Sequence, residues 1–134
     1  MKTKHILTLA EVDEILAAAR DEAVKHNWAV TIAVVDDGGH LLGLSRLDGA
    51  SPVSASIAIE KARTSAIGRR ESKAFEEIIN GGRFAFLSTP LLATLEGGVP
   101  IMFNGQCVGA VGVSGVKSDQ DAQIAAVGVS TVLR

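Results

Sequence analysis

The strongest chemical signal in this sequence is the glycine-rich segment 109–115, where a predicted strand leads into a helix capped at Ser118. Exposed backbone amides and the positive end of a helix can together hold a carboxylate or phosphate oxygen. The segment lacks the spacing of a phosphate-binding P-loop, and two aspartates early in the helix would repel an anion. Ser114 and Gly115 are therefore either ligand-binding residues or part of a close packing of strand on helix.

Two further glycines and two cationic side chains could likewise either bind a ligand or have a purely structural role. Gly97 and Gly98 either let a flat ligand approach the backbone or allow a tight turn into the next strand. Lys61 and Arg63 lie on one predicted helix. They either form a solvated helix face, which is the preferred interpretation, or bind ligand carboxylates at the mouth of a pocket.

Three histidines and one cysteine could ligate haem iron, since haem needs an apolar slot and usually an axial ligand. His40 is the best placed, at a hairpin exit close to Asp36, although a histidine that only bonds to that aspartate is the simpler explanation. His5 precedes the first helix and is expected to be mobile, and His26 fits a helix end. Cys107 is expected to be a small hydrophobic residue of a strand. The absence of CxxCH excludes covalent haem attachment.

Motifs for metal ions and for catalysis are missing from the sequence. It contains no HExxH and no CxxC, so no zinc site is expected, although Asp36, Asp37 and Asp48 could hold a hard cation loosely. Ser114 lies in VSG rather than in the GxSxG of a nucleophile elbow. No acid, base or nucleophile constellation marks the chain as an enzyme, and catalysis stays an open question.

Helices are predicted to position these residues. Thr8 and Glu11 have the spacing of a capping box that starts the first helix, whose apolar positions recur every three or four residues. Ser51 and Pro52 start a second helix, which ends near residue 68. Its many alanines and serines leave little side-chain bulk. The second helix is therefore expected to pack closely on a sheet or on a second subunit.

Two hairpins supply the predicted strands. The strands cover residues 29–35, 41–47, 99–103 and 106–114. Asn104 and Gly105 join the second pair and are the strongest short-range signal for a two-residue turn. A short third helix is predicted at about residues 72–79, between the second helix and the second hairpin. The last helix, from Ser118, is apolar almost all round and is expected to be covered on both sides. Hairpins without repeated crossovers predict an α/β fold of the α+β kind, an antiparallel sheet flanked by helices.

The composition fits one domain, residues 1–134, with an aliphatic core, because 47% of the residues are apolar but only 4% are aromatic. A net charge of -2 with interspersed signs gives no surface for nucleic acid. No stretch reaches the ~18 apolar residues of a membrane helix, and the N-terminus does not resemble a signal peptide. With a single cysteine that cannot form an internal disulfide, we expect a cytoplasmic protein.

Five short motifs follow one another along the chain. They are VVDDGGHL from residue 34, RLDGA from 46, EKART from 60, GGVPI from 97 and GAVGVSG from 109. Together they resemble the GlcG/HbpS family of haem-degrading, HbpS-like domains, from about residue 9 to the C-terminus. The resemblance implies a profilin-like fold and assembly into homo-oligomers. It also adds Arg46 to the predicted site.

The family that this chain resembles includes haem-binding proteins, a domain of a corrinoid adenosyltransferase, and small proteins encoded beside glycolate, glycerol or diol degradation genes. The first hypothesis is a haem-binding protein, with or without haem-dependent redox or degradation activity. The second is an enzyme or accessory factor for small oxygenated metabolites, and the third is an oligomeric interaction module. Haem binding ranks first because no catalytic constellation is visible. The predicted ligand-binding residues are His40, Arg46, Lys61, Arg63, Gly97, Gly98, Ser114 and Gly115.

Overall fold

The computed structural model describes residues 1–133, which form four α-helices, four β-strands and a short 3₁₀ helix. The helices are α1 (Leu9–Lys25), α2 (Pro52–Gly68), α3 (Ser72–Asn80) and α4 (Ser118–Ser130), and the 3₁₀ helix spans Phe84–Ser88. The strands are β1 (Thr31–Asp36), β2 (Leu41–Arg46), β3 (Gly98–Phe103) and β4 (Gln106–Ser114). None of the helices in this part of the chain has the length and apolar character needed to cross a bilayer.

The four strands form one antiparallel sheet in the order β2-β1-β4-β3. β1 and β4 lie in the centre, where Thr31 pairs with Ser114. In the turn between β3 and β4, Asn104 and Gly105 have φ values of 50° and 76°, the left-handed conformation that a two-residue hairpin turn requires. The predicted antiparallel sheet and both predicted hairpins are confirmed.

The helices cover both faces of this sheet. Helices α1 and α4 share the main hydrophobic cluster with one face, where Ile15, Ile32 and Ile124 are fully buried. Helix α2 covers the opposite face. A smaller cluster there consists of Val35, Ala62, Ala66 and Ala110. Because the inward residues of α2 are small, the helix approaches the sheet backbone closely. Of the two predicted partners for α2, a sheet or a second subunit, the sheet is the one observed within this chain.

The helix starts agree with the sequence in part. The capping box of α1 is confirmed, because the Thr8 amide donates to the Glu11 carboxylate (2.9 Å) and the Glu11 amide donates to the Thr8 hydroxyl (3.2 Å). The prediction that Ser118 caps α4 is wrong. Lys117 is the N-cap, and its amide donates to Oε1 of Gln120 at 3.3 Å. Ser118 is instead the first helical residue.

Within this single chain the last helix is covered on one side, so its expected covering on both sides stays a prediction. Ile124, Ala125 and Val129 are buried against the core. The exposed positions of α4 are Ser118, Asp119, Gln123, Ala126 and Ser130. Because these exposed residues are polar or small, leaving that side in water exposes little apolar surface.

Candidate functional site

Lys61 and Asp121 form a buried ion pair beneath α2. The Lys61 ammonium donates to the backbone oxygen of Val113 and to Oδ2 of Asp121, each at 3.0 Å. Lys61 is 3% exposed and Asp121 is 2% exposed. The preferred interpretation of Lys61 as part of a solvated helix face is therefore wrong, because its position on α2 faces the sheet. Its charge is satisfied there by a carbonyl and a carboxylate rather than by water.

The same carboxylate ties the start of α4 to the end of β4. Oδ1 of Asp121 accepts a hydrogen bond from the Val116 amide at 3.2 Å, while Oδ2 binds Lys61. Burial raises the pKa of Asp121 above its ordinary value, and this effect outweighs the opposing attraction and hydrogen bond of Lys61 and the backbone hydrogen bonds. The pair thus links α2, β4 and α4 at one buried point.

The predicted glycines allow close packing around this ion pair, Gly97 and Gly98 against α2 and Gly115 against the loop before β1. A Cβ added to Gly97 would lie 2.7 Å from the Lys61 ammonium, and one added to Gly98 would collide with the backbone oxygen of Lys61. Gly97 and Gly115 also have φ values of 134° and 145°, which residues with side chains rarely adopt. These contacts support the packing alternative. Ligand binding by these glycines and by Ser114 stays a prediction.

His40 lies at the β1–β2 turn and is oriented by Asp36, as the simpler sequence interpretation holds. Oδ1 of Asp36 accepts hydrogen bonds from the amides of Gly38 (2.9 Å) and His40 (3.0 Å) and lies 3.1 Å from Nδ1 of His40. Burial acts to raise the pKa of Asp36, but these hydrogen bonds and the nearby imidazole outweigh it and lower the pKa. The His40 side chain is 81% exposed, so solvent surrounds most of the ring.

The two predicted arginines both have partners within the protein. Arg63 pairs with Glu60 at 3.2 Å, and its aliphatic stem packs next to Gly39 of the turn. Arg46 donates from Nη2 to the backbone oxygen of Ala50 at 3.0 Å. The structure therefore brings Arg63 to the turn that carries His40, while Arg46 braces the loop before α2.

The predicted loose cation site at the aspartates is not assembled. The Asp36 carboxylate accepts hydrogen bonds from the amides of the β1–β2 turn, and the Asp37 carboxylate pairs with Lys4 at 2.9 Å. Within residues 1–133 no group of three or more histidine, cysteine, aspartate or glutamate side chains is arranged to hold a metal ion. Cys107 is a half-buried strand residue, with its sulfur 3.3 Å from the backbone oxygen of Gly109.

An apolar cavity of about 220 Å³ opens between the N-terminal segment, α1 and the β3–β4 hairpin. We call it the hairpin cavity. Its lining residues are His5, Ile6, Leu7, Glu11, Ile101, Phe103, Val108 and Val132. The His5 ring contacts the Phe103 ring edge-on, with 4.8 Å between centroids, and Nδ1 of His5 lies 3.3 Å from Oε1 of Gln106. The glycine-rich hairpin therefore does form a wall of a cavity, through its aliphatic and aromatic residues.

His5 is the residue of this cavity that the sequence analysis named as a candidate haem ligand but set aside. It was expected to be mobile ahead of α1, yet the structure places it against Phe103 and Gln106. One signal could have indicated this. Leu7 precedes the N-cap residue and Val12 is the fourth residue of α1, which is the spacing of a hydrophobic staple that directs the chain into a helix. Leu7 packs on the core cluster that contains Val12.

Comparison with known proteins agrees with the geometry. The family described as haem-degrading protein HbpS-like matches residues 7–130, nearly the whole chain. The chain belongs to the HbpS-like family. Among its relatives is Escherichia coli GlcG, which is 59% identical over 114 residues and matched over 85% of each protein.

Solved structures share the fold of this HbpS-like chain. A double mutant of Streptomyces reticuli HbpS is 29% identical with a TM-score of 0.89, and the match covers 100% of this chain and 92% of that one. The structure described as a PduOC–heme complex is 22% identical with a TM-score of 0.85, covering 96% of both chains. The second likeness concerns the fold alone.

Proposed function

We propose that this HbpS-like protein binds haem at the hairpin cavity, with the imidazole of His5 as axial ligand. One observation carries the proposal: His5 is the histidine that lines an apolar cavity. By contrast, His26 stacks on Trp28 and pairs with Glu22, and His40 stands in solvent. The description of the family as haem-degrading supports the same ligand.

The donor set of the cavity suits haem. Ile101, Phe103 and Val108 supply apolar walls, and His5 supplies a nitrogen ligand. Because Oε1 of Gln106 can only accept, Nδ1 of His5 carries the proton that faces it, and Nε2 keeps a lone pair for iron. Bound haem would supply an iron centre able to take up a small ligand or an electron.

The volume of the cavity requires a movement of the N-terminal segment. About 220 Å³ is less than the roughly 300 Å³ at which small-molecule sites begin. A depression of about 240 Å³ adjoins it and shares Ile6, Leu7 and Val108 with its lining. The part of the N-terminal segment that precedes His5 is held by the exposed Lys4–Asp37 pair and by a bond from Gln106 to the Thr3 backbone, both weak contacts. A displacement of the exposed Ile6, which lines both spaces, would join them.

The proposal concerns binding rather than breakdown of haem. Glu11 is the carboxyl group that lines the cavity. Hydrogen bonds from the backbone and the hydroxyl of Thr8 lower the pKa of Glu11, so it stays ionised near pH 7 and is a poor proton donor. No other acid among the lining residues could protonate a bound ligand.

Titration of the apo-protein with haemin tests the proposal. We expect a shifted Soret band that saturates at a stoichiometric ratio. His5→Ala is expected to weaken binding tenfold or more, because even groups that only support a metal ligand are worth about 10–100-fold in affinity. His40→Ala is the matched control and is expected to bind haem as the parent protein does.

Two results would contradict this assignment in different ways. The absence of a Soret shift in the parent protein would remove haem binding itself. A loss in His40→Ala together with normal binding by His5→Ala would keep haem as the ligand and move it to the β1–β2 turn, where Asp36 orients the His40 imidazole.

We also propose that the protein assembles as a homo-oligomer through β2. This strand lies at an edge of the sheet, so its outer backbone groups can pair with another strand. Leu41 is 50% exposed and Leu44 is 36% exposed. An edge strand with exposed leucines is suited to pairing with a second copy of the chain.

Light scattering checks the assembly. We expect a mass that is a whole multiple of the chain mass and that falls toward the monomer in Leu44→Lys. Val24→Lys, an exposed apolar position on α1, is the control and is expected to leave the mass unchanged. A monomer at every protein concentration would rule out this interface.

A further inference from the structure

A depression of about 490 Å³ lies between the N-terminal segment, the β1–β2 turn and the β3–β4 turn. Its walls include Lys2, Lys4, Asp37, Arg69, Met102 and Cys107, and we call it the basic depression. The volume falls within the roughly 300–1,000 Å³ of small-molecule sites. Neither the sequence motifs nor the proposed haem site uses its charged residues.

The charge of the basic depression is positive. Three cations, Lys2, Lys4 and Arg69, face one carboxylate, Asp37, which leaves two positive charges in excess. Lys4 is paired with that carboxylate at 2.9 Å. Lys2 and Arg69 have no ion-pair partner among residues 1–133. An anion entering the depression would therefore meet two cations that no carboxylate neutralises.

Arg69 is held in place at the back of this depression. Its Nη1 donates to the backbone oxygens of Asp37 at 2.6 Å and Ala66 at 2.9 Å, while Nε and Nη2 make no hydrogen bond to the described chain. A guanidinium fixed on one side and open on the other can offer two parallel donors to a carboxylate or phosphate. The side chain is pre-positioned for such a ligand.

The backbone conformation at Arg69 indicates that the identity of this side chain matters. Arg69 ends α2 with a φ of 59°, a left-handed conformation that glycine or asparagine adopts more easily. The chain places an arginine in this position despite the strain. A glycine could end the helix without this strain, so the arginine is explained if its side chain is needed at this position.

We propose that the basic depression binds a small organic dianion, with Arg69 as its anchor. Lys2 and Lys4 add attraction, and Met102, which is 39% exposed, offers an apolar wall to the carbon skeleton of the ligand. The site is separate from the hairpin cavity, and the proposal does not require haem. It is independent of the proposed function.

The one cysteine of the chain makes the proposal testable, because Cys107 lies in the wall of the basic depression. Its alkylation rate reports on charge and occupancy there. We expect the ratio of the rates with anionic iodoacetate and neutral iodoacetamide to fall about threefold in Arg69→Gln. Arg70→Gln is the matched control, since Arg70 lies over the Phe75 ring at 5.4 Å rather than in the depression.

Ligand protection gives the second readout on the full-length protein. At constant ionic strength, succinate or inorganic phosphate is expected to slow alkylation of the parent protein and of Arg70→Gln, and acetate is not. Stronger protection by phosphate would identify a phosphate ester, and stronger protection by succinate a dicarboxylate. Arg69→Gln is expected to lose the protection.

Several results would overturn the proposal. One is that neither dianion protects Cys107 better than sodium chloride. Another is that Arg69→Gln unfolds more easily but keeps full protection, which would make Arg69 a purely structural link between α2 and the β1–β2 turn. If the thiol resists both reagents, the melting temperature decides: the dianions must raise it in the parent protein and not in Arg69→Gln.

Discussion

Replacing Lys61 by methionine is expected to lower the free energy of unfolding by about 3–5 kcal/mol at pH 7. The substitution keeps the length and helix propensity of the side chain but leaves the Asp121 carboxylate buried without its cation. It also removes the donor to the Val113 backbone oxygen. Urea denaturation followed by circular dichroism measures the loss.

The control for this prediction is Lys73→Met. Lys73 and Glu77 form an exposed pair at 3.9 Å, and its loss is expected to change the free energy of unfolding by less than about 0.5 kcal/mol. The double variant Lys61→Met/Asp121→Asn is expected to be more stable than Lys61→Met alone, because the asparagine oxygen still accepts from Val116 but carries no charge. Equal losses in Lys61→Met and Lys73→Met would contradict the role of the pair.

The pH dependence of Lys61→Met gives an additional check. The pKa of Asp121 is raised in the folded protein, so the folded state binds a proton more readily than the unfolded chain does. Stability from this group is therefore present at low pH and is lost as the pH rises through the folded-state pKa. Without Lys61 to oppose the shift, the pKa of Asp121 rises further. The deficit of the variant should shrink as the pH falls from 7 toward about 4.

Gly112→Ala is expected to destabilise the fold by about 3 kcal/mol, the upper end of the range for overpacked cores. A Cβ at this position would collide with the backbone oxygen of Ala58 and lie 2.9 Å from the Cβ of Ala62. Since the main obstacle is backbone, no side-chain rotation can relieve the collision, and α2 must move away from β4. Chemical denaturation measures the effect.

Gly105→Ala in the β3–β4 turn is the matched control. A Cβ there meets nothing within 4 Å, so the variant bears only the penalty of a left-handed φ of 76°, about 1–2 kcal/mol. The smaller loss at Gly105 separates conformational strain from helix-to-sheet crowding. If Gly112→Ala were no less stable than Gly105→Ala, the close contact between α2 and β4 would not be important for stability.

The elements that the sequence predicted well are those that depend on neighbouring residues. Thr8 and Glu11 cap α1, and Asn104 and Gly105 close the second hairpin, because each signal acts over two to four residues. The start of α4 was predicted one residue late at Ser118. Local spacing alone could not show that Asp121 turns inward to Lys61, a residue 60 positions away.

The candidate site was harder to predict because distant segments build it. The sequence indicated that the β3–β4 hairpin walls a cavity, and the structure places Ile101 and Phe103 there. It did not place His5 at this cavity, where the residue reaches Gln106 across 101 positions of the chain. Arg69 was likewise not predicted as a binding residue, since its neighbours in the basic depression come from the N-terminus, the β1–β2 turn and the β3–β4 hairpin.

The sequence by itself determined the order of helices and hairpins, the antiparallel sheet and the family. These follow from periodicity, turn residues and motif order, which are local properties of the chain. Only the tertiary structure decided the environment of each charged side chain. Lys61 is buried beside a carboxylate, whereas Lys4 lies in an open depression, because the burial of a side chain depends on which elements pack above it.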